Sequence, residues 1–107
     1  MQEKLSKSMV DILISKLKEK LNITWEDVST ENKLLNIVED AKITLNHKLG
    51  AEIDYSKPGM ERTLFMNYCL YVWSDCANEF DKNYLSEIYQ IRNKYKVKRY
   101  VENKAEI

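Results

Sequence analysis

Apolar positions along this chain recur with a helical period almost from end to end. In SMVDILISKLKEKL, Met9 or Val10, Leu13 or Ile14, Leu17 and Leu21 follow one another at steps of three and four, which gathers them on one face of a helix. Ser6 or Ser8 is placed to cap its start and Asn22 to end it. NITWEDVS then reads as a connector whose Ile23 and Trp25 are expected to fold back onto the core. Thr30 offers the next N-cap. Beyond it Leu34, Val38, Ala41, Leu45 and Leu49 step by four, three, four and four, and Gly50 follows where a helix commonly stops in a left-handed residue. A second helix is therefore predicted over 31–49.

AEIDYSKPG, residues 51–59, holds the only proline and the second glycine, so it is predicted to be the principal loop, a mobile hinge with few core contacts. A third helix is predicted from Met60 to Phe80. One stripe on it is Phe65, Cys69, Val72, Cys76 and Phe80, and another is Met60, Leu64, Tyr68 and Tyr71. With more than half its circumference apolar, this helix should be central. Asp81 is expected to cap a last helix on which Tyr84, Ile88, Ile91 and Tyr95 step by four, three and four. The remaining KVKRYVENKAEI alternates Lys96, Lys98 and Arg99 with Val97, then Tyr100 and Val101, closer to a strand period than a helical one. A segment of that kind can add itself to the edge of a partner's sheet. The expected fold class is all-α, a four-helix bundle-like single domain with an extended C-terminal tail: a helical domain over 1–95 and a tail over 96–107.

Composition supports one domain and few turns. The chain has 107 residues, 32% charged and 44% hydrophobic, with two glycines and one proline. That is enough apolar material for a single core, and an all-β domain would need more turn residues. The opening MQEKLSKSMVDILISKLKEK reads as neither signal peptide nor membrane span, so a reducing cytosol is the expected setting.

Charge changes the picture more. The formal net charge is zero, yet residues 1–21 carry five positive and three negative groups, residues 82–107 seven and three, and residues 22–81 five and eleven. Basic ends flank an acidic middle, a distribution suited to meeting an acidic partner at one end. KYKVKRY, residues 94–100, interleaves four cations with tyrosines, which also fits nucleic acid, although the chain as a whole is neutral.

Chemistry is sparse. Cys69 and Cys76 lie seven residues apart on the predicted third helix, about 10.5 Å of rise, too far for a disulfide. On an apolar stripe both read as small core hydrophobes. The one histidine, His47, falls in the last turn of the second helix, where a cation suits the dipole. Asp75 reads as a surface or interface carboxylate. With no nucleophile–base spacing and no phosphate loop, an enzyme is not expected, nor any cofactor or metal.

The order of these parts resembles the head-tail connector, or adaptor, proteins of long-tailed bacteriophages. The likeness rests on a short first helix, on LNITWEDVSTENKLLNIVEDAKITLNHKLG, on the proline-containing loop, and on MERTLFMNYCLYVWSDCANEFDKNYLSEIYQIRNKYKVKRY, and so covers almost the whole chain. It implies a virion neck protein, made in the host cytoplasm, that assembles as a dodecameric ring below the portal protein. Such a ring extends the DNA channel without binding DNA specifically and receives a stopper or tail-completion protein. It also implies that Lys96, Val97, Lys98, Arg99, Tyr100 and Val101 dock on the portal. Glu31, Glu39, Asp40, Tyr55 and Asp75 are the candidates for a channel wall or subunit interface, acidic groups there discouraging phosphate from sticking. The competing expectation is a small helical regulatory module that binds protein or nucleic acid.

Overall fold

The computed structural model describes the backbone of residues 7–105 and the side chains of residues 9–102. The chain is an all-α single domain. Its elements are α1 (Lys7–Leu21), α2 (Val28–Leu49), α3 (Met60–Trp73), a 3-10 turn (Ala77–Glu79), the short α4 (Phe80–Asn83) and α5 (Leu85–Ala105). α2 packs against α1, α3 and α5 and so forms the spine of the fold. The side chains of Ser6 and Ser8, proposed as caps for α1, lie outside the described residues.

Three helices end in the same way. Asn22, Gly50 and Asp75 adopt left-handed backbone, with φ of 59, 73 and 60°. The amide after each reaches back five residues: Ile23 to the carbonyl of Lys18 at 2.9 Å, Ala51 to Asn46 at 3.2 Å and Cys76 to Tyr71 at 2.8 Å. Such six-to-one closures satisfy carbonyls that the last helical turn leaves without partners. Gly, Asn and Asp tolerate this backbone best. Asn22 and Gly50 are the stops expected from the pattern; Asp75 is not. The predicted helix over 60–80 in fact breaks at 74–76, because Asp75 supplies a left-handed residue before the apolar period runs out. Asp81 likewise caps no long helix: it sits inside α4, and α5 begins four residues later.

The start of α2 also lies upstream of its expected place. Asp27, in extended backbone, is the N-cap, and its carboxylate accepts the amide of Thr30 at 3.3 Å. Thr30 is a helical residue whose hydroxyl accepts from the indole N–H of Trp25 at 3.2 Å. That bond holds Trp25 at the surface, 52% exposed, while its neighbour Ile23 is buried as expected.

The core combines Leu13 and Leu17 of α1, Leu34, Val38, Ala41, Leu45 and Leu49 of α2, Leu64, Phe65 and Cys69 of α3, Phe80, and Ile88 and Ile91 of α5. Phe80 stacks on Tyr84 and meets the edges of Tyr68 and Tyr71, an aromatic cluster that fastens the α3–α5 turn. Two core members come from the 51–59 loop, contrary to its expected lack of core contacts. Ile53 is buried, and Tyr55 is fully buried with its ring 4.6 Å from that of Phe65. The Tyr55 hydroxyl donates to Asn46 Oδ1 at 2.8 Å, and the same oxygen accepts the Ile53 amide at 3.3 Å. Thus one carboxamide near the end of α2 ties the loop down twice.

The strand-like reading of residues 96–101 is overturned. α5 continues through them as one helix to Ala105. Residues 85–95 already form a helix with its apolar row in the core, and adding residues to an existing helix costs far less than starting a new element. Their side chains nevertheless leave the core, and residues 96–102 are all exposed. The tail is thus a projecting helix end, and the molecule spans 54 × 32 × 19 Å with a radius of gyration of 15.0 Å, above the ~13 Å usual for a chain of this length.

Candidate functional site

The projecting end of α5 joins the body through a polar junction. Glu61, in the first turn of α3, accepts from Lys94 Nζ at 2.5 Å and from the Tyr95 hydroxyl at 2.9 Å. Burial pushes the Glu61 carboxyl up, but the hydrogen bonds from Lys94, its own backbone amide and Tyr95, with the charge of Lys94, hold it below its ordinary value. Lys94 is raised chiefly by its hydrogen bond to Glu61, and Tyr95 chiefly by burial. One turn further on, Arg99 donates to the carbonyl of Gly50 at 2.5 Å, capping the end of α2. Lys48 of α2 also pairs with Asp81 at 2.9 Å.

These contacts change the meaning of KYKVKRY. Of its four cations, Lys94 and Arg99 bond within the chain, and Lys96 and Lys98 stand exposed. Val97, Tyr100 and Val101 are 60, 63 and 57% exposed. The six residues proposed for docking therefore share one exposed helical segment, from which Arg99 also reaches back to the body.

A second row runs along α5. Leu85, Tyr89, Arg92, Lys96 and Tyr100 step by four, three, four and four, and every one is exposed. Each lies one residue after the core-facing Tyr84, Ile88, Ile91, Tyr95 series, so this row sits about 100° around the helix from the buried one. The signal was legible in the sequence, but the buried row beside it drew the attention.

The five interface candidates do not form one surface. Tyr55 is excluded: it is fully buried and bonded to Asn46. Glu31 is half-buried and paired with Lys18 across the α1–α2 corner. Asp75 is exposed and serves as the left-handed stop of α3. Glu39 and Asp40 are exposed on α2, and Asp40 lines an open groove of about 720 Å³ between α2 and the end of α3. The groove also presents Asn36, Ile37, Ala41, Ile43, Tyr68 and Val72. At one end the ammonium of Lys33 lies 4.4 Å over the ring of Trp73.

Cys69 is fully buried, and burial pushes its thiol up to about 12, the behaviour of a core hydrophobe. Cys76 is half-buried beyond the end of α3 rather than on a shared helical stripe. His47 is exposed in the last turn of α2. Among the described residues no group of three or more His, Cys, Asp or Glu is placed to hold a metal ion, and no helix is long and apolar enough to cross a membrane.

Comparison with models of known protein families, with curated proteins and with solved structures finds no match.

Proposed function

We propose that this chain is a head-tail connector of a tailed bacteriophage, a structural adaptor that forms a ring below the portal, continues the DNA channel and joins the head to a stopper or tail-completion protein. The observation that carries this reading is the end of α5. A helix with exposed Val97, Tyr100 and Val101, interspersed with Lys96 and Lys98, extends beyond a finished core. Apolar side chains held outside a core on a rigid, basic element suit a partner's surface better than solvent. The docking mode is a helix laid into a groove rather than a strand added to a sheet.

In this reading DNA passes through without specific binding, and the outer face of α2, with Glu39 and Asp40 exposed, is the candidate channel wall because fixed carboxylates repel phosphate. Co-purification with the portal protein of the same phage is the test. The full chain should be retained, and Tyr100→Asp combined with Val101→Asp should abolish retention while leaving the melting temperature in place. Retention of that double variant at the level of the parent would overturn the docking assignment.

A further inference from the structure

The ring reading requires two different surfaces of one chain to meet, because a closed ring is built from heterologous contacts. We propose that these surfaces are the exposed α5 row and the α2–α3 groove: Leu85, Tyr89, Arg92 and Lys96 of one copy lie in the groove of the next. The inference rests on the connector reading and specifies its self-contact.

Length, polarity and charge support the match. From Leu85 to Lys96 the row covers about 16 Å, and the groove wall from Ser29 to Thr44 about 22 Å, at 1.5 Å per helical residue. None of the groove-lining residues comes from α5, so one chain offers both surfaces at once. The apolar floor of Ile37, Ala41, Tyr68 and Val72 suits Leu85 and Tyr89, which are 48 and 56% exposed. Asn32, Asn36 and Thr44 at the rim give a helix polar neighbours without a fixed charge.

Electrostatics choose the direction. The cation in the groove is Lys33, at the Trp73 end, and the anion is Asp40, with Glu39 beside it on the same exposed side of the helix. Laying α5 parallel to α2 puts Leu85 near Val72 and Lys33, and brings Arg92 and Lys96 to Asn36 and Asp40. The opposite direction would set Arg92 and Lys96 against Lys33. Like charges juxtaposed across an interface are costly, so the parallel arrangement is selected.

Two variants, each blocking one surface, test the inference by sedimentation, with circular dichroism confirming that both are folded. Leu85→Lys with Tyr89→Lys blocks the row, and Asn36→Arg with Asp40→Arg blocks the groove; all four positions are exposed. The parent should gain mass with concentration between the micromolar and millimolar ranges, and each variant alone should stay monomeric. An equimolar mixture should stop at a dimer, since it holds one intact row and one intact groove while the two altered surfaces repel. Ile43→Lys, at a 70% exposed groove position, is a second groove variant that should behave as the first. A monomeric parent, a variant that associates like the parent, or a mixture that stays monomeric overturns the inference. Co-purification with the portal is read separately. Loss of portal binding with the self-association pattern intact overturns the connector reading instead.

Discussion

The loop over 51–59 and the last turns of α5 invert the usual relation between regularity and order. The loop has no repeating backbone hydrogen bonds of its own, yet it buries Ile53 and Tyr55 and hangs from Asn46 by two bonds. The end of α5 is a regular helix, yet residues 96–102 are exposed. A helix satisfies its backbone locally, so it can stand away from the core. An irregular segment must find partners for its polar groups elsewhere, and Asn46 provides them. Regular structure and burial are separate properties, and the free surface for a partner lies on the regular segment.

The sharpest way to break this contrast is to remove the loop's anchor. Tyr55→Ala should cost about 3–5 kcal/mol, the scale for deleting a buried aromatic ring, because it empties the space against Phe65 and leaves Asn46 without a donor. Tyr55→Phe keeps the stack and loses one hydrogen bond, so about 1 kcal/mol is expected. Urea unfolding of both variants measures the difference. A loss under 1 kcal/mol for Tyr55→Ala would mean that the loop is not part of the core.

Amide exchange sharpens the comparison without mutation. The amides of Ile53, held by Asn46, and of the loop around it should exchange with the protection of the core, whereas those of residues 97–102 should exchange by fraying of the helix end. Faster exchange in the loop than in the end of α5 would restore the expectation of a mobile hinge.

How much of this was legible follows from particular residues. Core faces came through because burial imposes the helical period: Leu34, Val38, Ala41, Leu45 and Leu49 were read as one face and are all buried. Stops were legible at Asn22 and Gly50, where the apolar pattern and the left-handed residue agree. They were not at Asp75, where Cys76 and Phe80 continue the three-and-four spacing past the break; Phe80 reaches the core after the chain has turned. Asp75 carries the same backbone as the other two but with no gap in the pattern to announce it. The alternation in KVKRYV misled for a related reason, since six residues are too few to separate a strand period from the polar side of a helix. Tyr55 was placed at an interface because a loop tyrosine shows no period at all, and its partner, Asn46, is nine residues away. The Glu61–Lys94–Tyr95 junction spans more than thirty residues and has no local signature.

That junction divides the well-packed part of α5 from its projecting end, and it carries the third prediction. Glu61→Gln keeps an acceptor for Tyr95 but loses the charge facing Lys94, and about 1 kcal/mol is expected for a half-buried charge-assisted contact. The folded Glu61 carboxyl lies below its ordinary value of 4.5, so its contribution is fully present above that value and is lost as pH falls through the lowered one. Stability of the parent and of Glu61→Gln, compared by thermal melts, should differ near neutrality and converge in acid. An unchanging gap across that range would mean that the charge of Glu61 contributes nothing.

The smallest effect is expected where the helix is most regular. Deleting residues 96–107 removes no side chain of the described core, because the buried row of α5 ends with Ile91 and the half-buried Tyr95. The described contact to the body lost with it is that of Arg99 with the Gly50 carbonyl, an exposed bond for which about 0.5–1 kcal/mol is a generous allowance. Gly50 N–H and Ala51 N–H still bond to Asn46, so the stop of α2 remains closed. The truncated chain should therefore keep its near-ultraviolet spectrum and melt within a few degrees of the parent, about 4–8 °C per kcal/mol being the scale for a domain of this size. In the proposed connector it should also lose attachment to the portal, while the row from Leu85 to Arg92 retains most of its contact for the neighbouring groove. Unfolding of the truncated chain would place the end of α5 inside the cooperative core and remove the contrast with the loop altogether.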